Sequence, residues 1–134
     1  MKIKRIALQD AVNIRHKVLW PDKEPSYCIV EGDDDAWHFG VIFDNRLVCV
    51  GSIYIEATIA RLRKFATLHE YQGLGVGSFM LNYLIRELKN RDISHFWLDA
   101  RETAVGFYQR FDFSVSGERF FKSEIGYFKM ILHL

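Results

Sequence analysis

Gly73, Gly75 and Gly77 sit at alternate positions between a strand-like run and a helix pattern. Upstream, Leu62-Arg63-Lys64-Phe65-Ala66-Thr67-Leu68 reads as a strand and His69-Glu70-Tyr71 as a short turn. Downstream, Val76, Phe79, Met80, Tyr83, Leu84 and Leu88 recur at spacings of three and four, the mark of an amphipathic helix. The first turn of a helix leaves backbone N–H groups without partners, and the helix dipole adds partial positive charge there. Glycines take away the Cβ atoms that would hold a bulky anion off those donors. The run is an anion cradle, suited to phosphate or pyrophosphate; a purely structural tight turn is the plainer alternative. A P-loop needs a lysine after its last glycine, and none follows Gly77. A dinucleotide fingerprint needs a third glycine where Ser78 stands.

A chain of 134 residues predicts a single domain over residues 1–134, able to bury about two-thirds of its unfolded surface. Eighteen basic and seventeen acidic residues nearly cancel, and no basic stripe appears, which argues against a nucleic-acid partner. No apolar run approaches the ~18 residues of a membrane span. Met1-Lys2-Ile3-Lys4-Arg5 is basic, but Gln9 and Asp10 interrupt any signal-peptide core. Cys28 and Cys49 stand alone and the histidines lack ligand spacing, so free buried thiols, no metal and a cytoplasmic setting are expected.

Residues 2–8 alternate at Ile3, Lys4, Arg5 and Ile6, as a first strand does. Asp10 is placed to cap a helix whose apolar face is Ala11, Ile14 and Val18. Pro21 and Pro25 end it, and residues 21–36 form a loop closing on Glu31-Gly32-Asp33-Asp34-Asp35. Those aspartates lack calcium-loop spacing. Mutual repulsion into solvent is the expectation, with steering of a cationic substrate as the second reading. Trp37–Phe43 and Leu47–Glu56 make a hairpin about Asp44-Asn45. A strand over 59–68, the helix over 75–90 and a strand from Ile93 to Ala100 follow. Glu102–Phe111 reads as a short helix with Ala104, Phe107, Tyr108 and Phe111 on one side. Phe113–Gly117 and Ile125–Leu134 close the chain as strands, with Glu118–Phe121 extending the hairpin. This order predicts an α+β fold, a central sheet with helices on both faces.

Gln72-x-x-Gly75-x-Gly77, preceded by Leu62-Arg63-x-x-Ala66-x, resembles the coenzyme A-binding motif Q/R-x-x-G-x-G/A of the GNAT (N-acetyltransferase) superfamily. A second block, Ala100-Arg101, Ala104, Phe107-Tyr108 and Asp112-Phe113, is similar to the family's A-R-x-x-A-x-x-F-Y-x-x-x-G-F. The resemblance extends over residues 35–134. Asp112 replaces the usual glycine, though aspartate tolerates such turns better than most residues. Tyr127 replaces a customary histidine, whose role is therefore not carried over. His69 stands where proline is common.

The resemblance implies a mixed, mostly antiparallel sheet of six to seven strands, splayed between the fourth and fifth. It also implies transfer of an acyl group, usually acetyl, from acetyl-CoA (coenzyme A) to an amine of a small molecule or peptide. Backbone N–H groups of Gly73, Leu74, Gly75, Val76, Gly77 and Ser78 would hold the pyrophosphate, with Gln72 setting the turn. The backbone of Phe65 and Thr67 would pair with the pantetheine arm, and such donors can polarise the thioester oxygen. Tyr108 is the expected proton donor to the departing thiolate, since a phenol titrates near ~10. Phe107 and Tyr108 point about 100° apart on a helix, so Phe107 is expected in the core and Tyr108 toward the cleft. A core tyrosine with a surface hydroxyl is the bland reading of Tyr108. Candidate bases are Glu56, Glu70, His38, His69 and Asp99, alongside solvent. Arg101 could reach the cofactor or pair with Asp99. A non-catalytic acyl-CoA sensor and a nucleotide-binding module are the competing classes. Phenylalanines 111, 113, 120, 121 and 128 serve either the closing strands or a homodimer interface.

Overall fold

Asp44 and Asn45 both take left-handed φ, 55° and 59°, in the computed structural model, which describes residues 1–134. That pair forms a tight turn whose twist suits two antiparallel strands. The strands are β1 (Lys2–Arg5), β2 (Trp37–Phe43), β3 (Arg46–Glu56), β4 (Ile59–Thr67), β5 (His95–Arg101), β6 (Ser114–Lys122) and β7 (Ile125–His133). Their order in one mixed sheet of seven is β1-β2-β3-β4-β5-β7-β6. β4 and β5 are parallel and pair only from Ile59↔His95 to Arg61↔Trp97. The ladder stops there, and Lys64 in β4 takes φ 56°. A left-handed lysine inside a strand turns the backbone out of its ladder, which accounts for the expected splay.

The helices are α1 (Leu8–Leu19), α2 (Val76–Lys89) and α3 (Val105–Gln109). α1 starts at Leu8, and its N-cap is Ala7, with no side-chain cap. Asp10 therefore lies within the first turn, where its charge meets the helix dipole, and is not the cap. In α2, Val76, Met80, Leu81, Leu84 and Leu88 are buried, whereas Phe79 is 38% exposed. α3 is shorter than expected because Glu102–Ala104 forms a 3-10 turn. Asp112 takes φ 71°, the conformation its glycine-like position calls for.

The chain packs as two compact units, Met1–Tyr54 with Leu62–Leu84, and Ile55–Arg61 with Ile85–Leu134. Ile14, Val41, Val48, Val50, Ile53, Val76, Met80 and Leu84 fill the first core. Phe96, Leu98, Phe113, Met130 and Leu132 fill the second. Each such side chain contributes about 1.5–3 kcal/mol by leaving water. β6 ends the sheet and pairs with β7 through a register shift between Ser116 and Phe120, where Gly117 takes φ 84°.

Candidate functional site

The glycine run joins the end of β4 to α2. Leu68 N–H donates to Val48 O at 2.8 Å, which fixes the strand end, and His69–Tyr71 forms a 3-10 turn. Gln72 Nε2 then donates back to Thr67 O at 3.0 Å, pinning the turn to the strand. Gly73 and Gly75 take φ 76° and 81°, which side chains rarely adopt. A Cβ on either would meet nothing within 4 Å, so neither glycine is demanded by internal packing. The first amide of the run to find a backbone acceptor is Phe79, which donates to Gly75 O at 3.0 Å. The amides of residues 73–78 thus form a row of donors at a helix start, where α2 carries no acidic side chain. Buried Val76 anchors that start in the core.

Phe65 and Thr67 belong to the same unit as the glycine run. Phe65 lies half-buried beside Gly51, whose missing side chain leaves the room. Thr67 O keeps a second lone pair besides the one that Gln72 uses. Burial pushes the Cys49 thiol up to about 12 against a hydrogen bond with the Thr67 side chain, and burial also raises Cys28. Both cysteines are free and buried. A thiol-reactive dye should therefore label neither in the native protein and both after denaturation; labelling of the native fold would contradict the burial.

Tyr108 lies in the other unit. It is half-buried, its ring edge-on to Phe113 at 5.7 Å and to Phe107 at 5.1 Å. Phe113 is buried and packs on Phe96 at 5.6 Å. Phe107 and Tyr108 are both half-buried and face different neighbours. Tyr108 is the ring that rests on the core aromatics, while Phe107 packs on Phe111 beneath Arg110. The Tyr108 carbonyl also accepts the Phe113 amide at 3.3 Å.

The acidic loop is also corrected. Asp33 is buried, while Asp34 and Asp35 are exposed. Arg15, fully buried on α1, forks onto both Asp33 oxygens at 2.8 and 3.0 Å. Arg15 also donates to Cys28 O and to Ser52 Oγ, each at 2.9 Å. Tyr54 donates its hydroxyl to Asp33, and the Val30 amide donates to the same carboxylate at 2.8 Å. Burial alone would raise the Asp33 pKa, but hydrogen bonds from Arg15, Tyr54 and Val30 override it and hold the carboxyl below its ordinary value. Burial first, and the bond to Asp33 second, push the Tyr54 phenol up to about 12, so it stays a donor.

His38 belongs to this cluster and is spoken for. Its Nε2 lies 2.9 Å from Asp33 O, which can only accept, so Nε2 carries the proton. Its Nδ1 then accepts from Ser52 Oγ at 2.6 Å. Among the other candidate bases, Asp99 pairs with Arg61 at 3.0 Å and Lys122 at 3.4 Å, and not with Arg101. Glu70 faces Arg46 at 3.6 Å, and His69 and Glu56 are exposed. One sequence signal could have disclosed the cluster. Arg15 falls beside Ala11, Ile14 and Val18 on the apolar face of α1, where a charge must find a partner.

Comparison with known proteins agrees with this architecture. The sequence model of the acetyltransferase (GNAT) domain matches residues 26–134. The uncharacterized N-acetyltransferase YitI of Bacillus subtilis is 28% identical over 129 residues, spanning 90% of this chain and 87% of the relative. The ribosomal-protein-S18-alanine N-acetyltransferase from Escherichia coli superposes with a TM-score of 0.82 at 18% identity, covering 98% of this chain and 92% of that one. A GNAT family acetyltransferase from Elizabethkingia anophelis, solved with acetyl-CoA bound, gives 0.77 at 13% identity, covering 99% and 97%. With the domain match spanning most of its length, the chain belongs to the GNAT acetyltransferase family.

Proposed function

We propose that the protein transfers an acetyl group from acetyl-CoA to a primary amine of a small molecule or peptide by direct attack in a ternary complex. The observation that carries this reading is the row of backbone donors at Gly73–Ser78, opened by two left-handed glycines and braced by Gln72 on Thr67. Those amides suit the diphosphate of the acyl donor, and the backbone at Phe65 and Thr67 suits its amide-bearing arm. The amine nitrogen bonds to the thioester carbon, and strand N–H groups stabilise the oxyanion. As the C–S bond breaks, the thiolate takes the Tyr108 hydroxyl proton, the amine releases its own proton to solvent, and solvent returns a proton to the Tyr108 phenolate. A reducing cytoplasm suits the two free thiols.

Free-thiol release from acetyl-CoA across a panel of amines tests the reading, with product mass confirming acetylation. Amine-dependent release above background supports it. Tight acetyl-CoA binding without release would make the chain a sensor, and preference for ATP or NAD would make it a nucleotide binder. Tyr108→Phe should lower turnover by about a hundredfold with acetyl-CoA affinity held, the scale of a lost general acid. Wild-type turnover in that variant would remove Tyr108 from the mechanism.

A further inference from the structure

The bonds of Arg15 go to segments that are far apart in sequence. Cys28 closes the 3-10 turn Pro25–Cys28, Asp33 lies in the last turn of the loop before β2, and Ser52 lies on β3. A single side chain from α1 therefore ties the later half of the 20–36 loop to a central strand. Asp33 N–H donates to Val30 O at 3.2 Å and His38 Nε2 donates to Asp33 O, so the last turn of the loop is closed from both sides. The start of the loop sits against β4. Lys64 Nζ lies 4.3 Å from the centre of the Trp20 ring, and Trp20 packs edge-on to Tyr27 at 5.3 Å. Lys64 is the left-handed residue next to Phe65, so this aromatic pair stands beside the strand on which the acyl arm is read to lie.

We infer that Arg15 is a positioning residue for the acceptor: its clamp on Cys28, Asp33 and Ser52 holds the 20–36 loop so that Trp20 and Tyr27 form the acceptor wall. This inference rests on the proposed acetyl transfer. Arg15 touches no reactant; it acts through the loop. A planar fork with several directed bonds defines one loop geometry, whereas apolar side chains would tolerate several. Lysine keeps the charge but cannot reproduce the fork. Tyr27 is half-exposed at 54%, with Lys23 Nζ 5.3 Å from its ring centre.

The test compares Arg15→Lys with wild type in steady-state kinetics against both substrates, and in backbone hydrogen exchange. Tyr54→Phe, which removes only one donor to Asp33, carries the same test if Arg15→Lys does not fold. Acceptor KM should rise about tenfold while acetyl-CoA KM and kcat stay within about twofold. Exchange should quicken over residues 20–35 and not over 73–80. A folded variant whose two KM values rise together, or whose acceptor KM stays put, overturns the inference. If wild type acetylates no amine, the proposed function falls and the acceptor role with it. Exchange still reads the clamp in that case, and unchanged protection over 20–35 refutes that too.

Discussion

Gly75→Glu should weaken acetyl-CoA binding roughly a thousandfold or more, to below detection by calorimetry. Two effects add. Gly75 takes φ 81°, where any side chain costs about 1–2 kcal/mol. The new side chain meets no protein atom within 4 Å of its Cβ, so it extends into open space at the donor row itself. There a carboxylate opposes the diphosphate in charge and competes for the same amides. Gly75→Ala is the control, since it carries the same φ cost without the charge and should bind far better than the glutamate variant. Circular dichroism would establish that both fold. Unchanged affinity in a folded Gly75→Glu protein would remove the donor row from the site.

Asp33→Ala should cost about 3–5 kcal/mol of folding stability, the range for removing one partner of a buried ion pair. The side chains of Arg15 and Asp33 are 0% and 2% exposed, so solvent provides no substitute. The loss falls on Arg15, whose Nε already lacks an acceptor, and on Tyr54, whose hydroxyl would lose its carboxylate. pH gives a second handle. The folded pKa of Asp33 is depressed. Its contribution is therefore complete above the ordinary carboxylate value of about 3.9 and is lost as pH falls through the depressed one. Urea denaturation from pH 7 downward should show this acid limb in wild type and a shallower one in Asp33→Asn, which has no proton to take up at that position. An Asp33→Ala protein within about 1 kcal/mol of wild type would contradict the pairing.

The elements whose determinants are local in sequence were legible. Glycine spacing, the helix period and the Asp44-Asn45 turn each depend on neighbours within a few residues, and the structure places them as read except for Phe79, which leaves the apolar face of its helix for the surface. The strand over 37–43 matches residue for residue. The buried cluster was not legible as a unit, because its members come from α1, the following loop, β2 and β3. Three consecutive aspartates look alike in sequence, and only tertiary packing distinguishes Asp33 from its exposed neighbours. The left-handed turn at Lys64 had no marker, since nothing in its residue type announces it.

The irregular pairing of β6 with β7 matters for a crowded solution. A long terminal strand with a clean row of amide and carbonyl groups invites another chain to dock and grow an aggregate. Here Gly117 and the shift between Ser116 and Phe120 break that row midway, and the charges of Glu118, Arg119 and Lys122 flank the break. The outermost strand is thereby a poor template, and the exposed Val115 and Phe121 on it do not amount to a sticky ribbon.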